Sequence, residues 1–121
     1  MMFGNGQLTR TVAAMMKELY AEDPSMHPHG YSVDLLDGCS IIDVDGEHAG
    51  FAGWQEDALN DKTWIVVGML KKFRKHWRLV LQAERELKLL FPNAAGMMSE
   101  RNKGAIFIAK MAGIPFTFYE D

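Results

Sequence analysis

Five basic residues crowd one short stretch, "GMLKKFRKHWR": Lys71, Lys72, Arg74, Lys75 and Arg78. A helix-period stripe begins in the same stretch, so these charges sit at the amino end of a helix. There they oppose the helix dipole, by roughly a few tenths of a kcal/mol per exposed charge. A bound anion, such as a cofactor or nucleic-acid phosphate, would offset that opposition. A solvated basic face on a helix that starts further along would need no anion. An acidic surface on a partner protein would suit the same charges.

The remaining reactive residues form weaker patterns. His27 and His29, in "HPH", have no third ligand at a diagnostic spacing, so they read as a surface loop and no metal is expected. Asp43-x-Asp45-Gly46 starts like a calcium loop but lacks the rest of that pattern, and reads as a hairpin turn. Cys39 is the only cysteine, which excludes an internal disulfide, and no histidine pairs with it in the pattern. Glu56 and Asp57 fall in a polar loop and read as solvated acids. Trp54, Trp64 and Trp77 read as core or interface anchors.

The elements that position these residues follow from periodicity. Leu8, Val12, Met15, Met16 and Leu19 have helical spacing over residues 7–21, with Asn5 or Gly6 as cap. "EDPSMHPHG" is a loop by its two prolines and glycine. Three extended segments follow: "YSVDLLD", "CSIIDVD" and "HAGFAGW". Asp45-Gly46 between the last two predicts a type I′ hairpin, which needs positive φ at both central residues. The apolar run "TWIVVGML" predicts a central strand buried on both faces. Phe73, Trp77, Val80, Ala83, Leu87 and Leu90 then mark one face of a helix over 71–91, stopped by Pro92. "NAAGMM" is a strand, "NKGAIFIAKMA" a helix closed by Gly113, and "PFTFY" a last strand. Alternating strand and helix in the second half implies parallel pairing by right-handed crossovers. The hairpin precedes it, so the expectation is an α/β fold with a mixed sheet.

The chain of 121 residues fits a single domain, residues 1–121. Its net charge of −3 predicts neither general nucleic-acid affinity nor attraction to membranes. No stretch has the length of a membrane helix or the form of a signal peptide, so the expectation is a soluble protein of a reducing compartment. The nine methionines suit a pliable core.

The element order, together with Asn102, Ala105, Ile106, Gly113 and Ile114, resembles the GNAT (Gcn5-related N-acetyltransferase) fold over residues 31–119. The resemblance implies a mixed-sheet acyltransferase-like topology truncated at the N-terminus. It also implies where acetyl-CoA would bind: Val67, Gly68, Met69, Lys71, Lys72, Phe73 and Arg74 at the start of the long helix, and Asn102 at the start of the last. In that family the pyrophosphate loop follows Gln/Arg-x-x-Gly-x-Gly/Ala, so that backbone N–H groups can approach the phosphates. Here Gly68 is the only glycine of "GMLKKFRKH", and Ala109 stands where many members carry a general-acid tyrosine. The resemblance therefore implies weak acetyl-CoA binding and no assigned catalytic residue.

A narrower likeness joins "KKFRKHWRLVLQAEREL" to "NKGAIFIAKMAGIPF". It resembles small GNAT-like internal virion or assembly proteins of podovirus-type phages. That likeness implies an accessory protein of the host cytoplasm or the virion, acting by binding a virion or host protein and not by acetyl transfer. An active N-acetyltransferase is the alternative reading, and a phage inhibitor of a host protein the third. Nucleic acid enters only through the basic helix start, and the oligomeric state is left open.

Overall fold

The computed structural model describes residues 6–24 and 32–119. Helix α1 spans Gly6–Glu22. Strands β1 (Gly38–Val44), β2 (Glu47–Asp57) and β3 (Lys62–Met69) follow. A six-residue 3₁₀ turn, Lys71–His76, leads into helix α2 (Arg78–Leu90). Strand β4 (Ala94–Met98), helix α3 (Lys103–Ala112) and strand β5 (Phe116–Phe118) complete the chain. The expected caps of α1, Asn5 in particular, and the His27/His29 pair fall wholly or in part outside the described residues.

The fold is α/β, with one five-stranded mixed sheet in the order β1-β2-β3-β4-β5. The first three strands are antiparallel, and β3–β4 and β4–β5 are parallel. The β1–β2 hairpin turns at Asp45 (φ 50°) and Gly46 (φ 80°), both left-handed as a type I′ turn requires. Opposite Ile42 and Asp43 a bulge sets Ala49 apart on β2, and its carbonyl accepts the Leu70 N–H at 2.9 Å.

Successive β2 side chains enter different packing groups. Phe51 joins Val12, Met16 and Leu19 of α1, whereas Ala52 and Trp54 pack with Ile65, Leu87 and Ile114. Phe73, Val80 and Leu87 are buried and Trp77 and Ala83 half-buried, as the spacing predicts, but Leu90, the last residue of the expected stripe, is 62% exposed at the end of α2.

Four expectations need correction. Glu56 and Asp57, expected in a polar loop, instead end strand β2, where they pair with Thr63 and Lys62 of β3. Over its described residues, 32–37, "YSVDLLD" is not a strand. Ser32 caps a 3₁₀ turn over Val33–Leu35 by accepting the Asp34 N–H at 3.3 Å, a local bond that competes with sheet pairing. The long helix begins at Arg78 and not at residue 71. Leu70 offers no side-chain cap and no acid sits in the first turn, so the basic stretch takes the tighter 3₁₀ form. The β3 run is only partly buried, because it loses its β4 neighbour after two residue pairs.

Helix α3 ends on a left-handed Gly113 (φ 72°), with the Ile114 N–H donating to the Ala109 carbonyl at 3.0 Å. Ala109, 1% exposed, is the tightly packed residue of this helix, whereas Ala105 is half-buried.

Candidate functional site: a split between two parallel strands

Strands β3 and β4 pair only at Thr63 with Ala94 and Trp64 with Ala95. Thr63 fixes this junction. Its N–H donates to the Asn93 carbonyl at 3.2 Å and its hydroxyl to Asn93 Oδ1 at 3.0 Å. Beyond it, Ile65–Met69 stay with β2, while Gly96–Met98 stay with β5, and the sheet opens between them.

Hydrogen-bond alternation shows what faces the opening. The N–H of Thr63 points toward β4 and that of Leu70 toward β2, so odd-numbered β3 residues address the β4 side. On β4 the Gly96 N–H donates to the Pro115 carbonyl at 2.9 Å, and the Met98 carbonyl accepts from the Tyr119 N–H at 3.0 Å. Even-numbered β4 residues thus address β5. The peptide groups of Val67 and Met97 therefore point into the split from its two walls.

The split opens into a cavity of about 290 Å³, lined largely by apolar groups that include Val67, Ala105, Ala109 and Ile114. Glu84 of α2 lines it with only 8% of its surface exposed, and desolvation pushes its carboxyl up to about 7. Tyr119 is at the same cavity, and burial raises its phenol above the ordinary value. The cavity offers amide edges, an apolar wall and one carboxyl able to take or give a proton near neutrality. Such a set suits a small, mainly apolar ligand.

The residues expected to hold acetyl-CoA do not form one site. Val67 and Asn102 line the cavity. Asn102 is also the N-cap of α3, its Oδ1 accepting the Ala105 N–H at 3.1 Å. Gly68 is a packing glycine: a Cβ there would lie 2.6 Å from Leu19 Cδ2 and 3.0 Å from Phe51 Cζ. Met69 and Phe73 belong to the core. Lys71, Lys72 and Arg74 are exposed on the 3₁₀ turn.

Three backbone N–H groups at that turn are already donated. Leu70 donates to Ala49, Phe73 donates to the Leu70 carbonyl at 2.9 Å, and Lys71 donates to both Glu22 carboxylate oxygens at 3.1 and 3.3 Å. The chain's own carboxylate sits where an anion would be received.

The other candidates are structural. Asp57 accepts from Asn60 Nδ2 at 2.7 Å and Trp64 Nε1 at 3.1 Å, bonds that lower its carboxyl and tie the β2–β3 turn. The Glu56 N–H donates to Asp37 Oδ2 at 2.7 Å. Cys39 is buried, and desolvation raises its thiol, which suppresses the nucleophilic thiolate. Asp43 and His48 form an exposed pair at 2.8 Å. Among the described residues no group of three or more metal-ligating side chains exists, and no helix is long and apolar enough to cross a membrane.

Sequence reasoning missed Glu84, Glu22 and Met97. Glu84 had a readable signal: it shares one helix face with Val80 and Leu87, at the spacing of a core position. Glu22 had none, being 49 residues from its partner.

No protein-family model, curated protein or solved structure matches this chain.

Proposed function

We propose that this chain is a phage-type accessory protein with a degenerate GNAT-like fold, and that it acts by binding a virion or host protein and not by acetyl transfer. The element order and the Asn102–Ala105–Gly113 pattern support the fold reading. The Glu22 carboxylate on the Lys71 N–H supports the part of the reading that leaves out acetyl transfer. A pyrophosphate approaching this turn would have to displace a bonded carboxylate of its own sign. It would find the neighbouring Leu70 and Phe73 N–H groups already donated.

The buried carboxyl of Glu84 favours the second reading, an acetyl-CoA-dependent N-acetyltransferase. A group titrating near 7 inside an apolar cavity is suited to accept a proton from an acceptor amine.

Calorimetric titration with acetyl-CoA separates the two. Accessory binding predicts a Kd on the order of 0.1 mM or weaker. Low-micromolar affinity, with Glu84→Gln abolishing turnover, would put the enzyme reading first.

A further inference from the structure

The chain is electrically divided. Residues 18–61 contain eleven acidic side chains and no lysine or arginine, whereas residues 62–110 contain eleven basic and three acidic ones. The division follows the sheet. The acidic segment builds β1, β2 and the turn after β2, and the basic segment builds the 3₁₀ turn, α2 and α3.

Each half carries an exposed apolar feature. The β2–β3 turn lifts Leu59 into solvent at 98% exposure, among Glu56, Asp57 and Asp61. The turn is braced by the Asp57 bonds to Asn60 and Trp64, so Leu59 is presented on a fixed support. On α2 and the end of α3, Trp77, Leu89 and Met111 line a groove of about 540 Å³ edged by Arg78 and Arg85. Leu89 is 83% exposed and Met111 44%. Arg78 lies over the Trp77 ring at 4.6 Å, which holds the aromatic and the cation together. Glu86 is the one carboxylate of the groove, and Gln82 Nε2 donates to it at 3.3 Å. Lys103, Phe107 and Lys110 share a face of α3 with Met111 by helical spacing, which adds two cations to that side.

We propose that copies of this chain associate through unlike surfaces, the acidic Leu59 turn of one docking in the basic groove of another. A half-buried tryptophan beside exposed methionine and arginine at a groove is the composition of a protein-contact surface. The turn supplies an apolar side chain to fill that groove and carboxylates to meet Arg78 and Arg85. The pairing joins two different patches, so each copy keeps one free turn or groove until the assembly closes.

The test is sedimentation velocity of the full chain at two salt levels. At about 10 mM ionic strength, where charges act over ~30 Å, the sedimenting mass should rise with concentration to at least twofold the 13.7 kDa monomer. Near 1 M, where charges act over ~3 Å, it should return to monomer. Leu59→Ser and Arg85→Glu, both on exposed side chains, should each leave a monomer at low salt with unchanged melting temperature. Mixing these two variants should restore a two-copy species, because the intact turn of one meets the intact groove of the other. A wild-type monomer at low salt and high concentration would overturn the proposal. So would association indifferent to both substitutions, or a wild-type monomer whose groove instead binds a nucleic-acid oligonucleotide in an Arg85-dependent way.

Discussion

Among the described residues, Glu84 is an acid whose environment departs far from its chemistry. It lies on the buried face of α2 between Val80 and Leu87, and desolvation holds its carboxyl near 7, against an ordinary value of 4.5. The folded state therefore binds a proton that the unfolded state has already lost between those two values. Stability from this group is full below about 4.5, falls as pH rises toward 7, and is level above it. The loss is on the order of 3 kcal/mol. Denaturant unfolding at pH 5 and pH 8 should show the protein less stable at the higher value through this group, and Glu84→Gln should remove most of the difference. A variant that keeps the same slope would show that the carboxyl is solvated in the folded state.

At the scale of elements, β3 and β4 matter through the point where they part. Two residue pairs anchor them, and the Asn93 bonds to Thr63 close the junction. Past it, Val67 turns its peptide group into the cavity, while Val66 and Gly68 on either side pair with Gly53 and Phe51 of β2. Native-state hydrogen exchange should read this directly, since a strand amide without a partner opens at little cost. The Val67 amide is expected to exchange at least tenfold faster than those of Val66 and Gly68. Equal protection across the three would mean that the sheet is closed in solution. A ligand seated in the split should slow Val67 selectively, which makes this amide a reporter for binding screens.

For the whole molecule, one buried cluster joins α1 and the sheet to Val80 and Leu81 of α2 and Ile108 of α3, and Leu87 is the fully buried side chain that joins α2 to Trp54, Ile65 and Ile114. The parallel half of the sheet has few strand bonds of its own, since β5 is three residues long and mostly exposed. Packing beneath it thus carries much of its stability. Leu87→Ala should cost about 2–5 kcal/mol, as a cavity that its neighbours cannot refill. The denaturant midpoint should fall with an unchanged slope. A loss under about 1 kcal/mol would show that α2 is held by its turns and not by this contact.

The sequence by itself determined the local pieces, because their causes are local. Asp45-Gly46 permits positive φ at both turn positions, Asn102 and Gly113 bracket α3, and Val80 and Leu87 mark the buried face of α2. Each follows from neighbours within a few residues. The 3₁₀ form of Lys71–His76 was less legible, because the same charges suit a late-starting helix equally well. Tertiary structure alone decided the site. The split exists because β4 leaves β3 to follow β5, and the Lys71 amide is closed because α1 ends with Glu22 beside it. Both depend on contacts between distant parts of the chain, and no local spacing encodes which strand a third strand will follow.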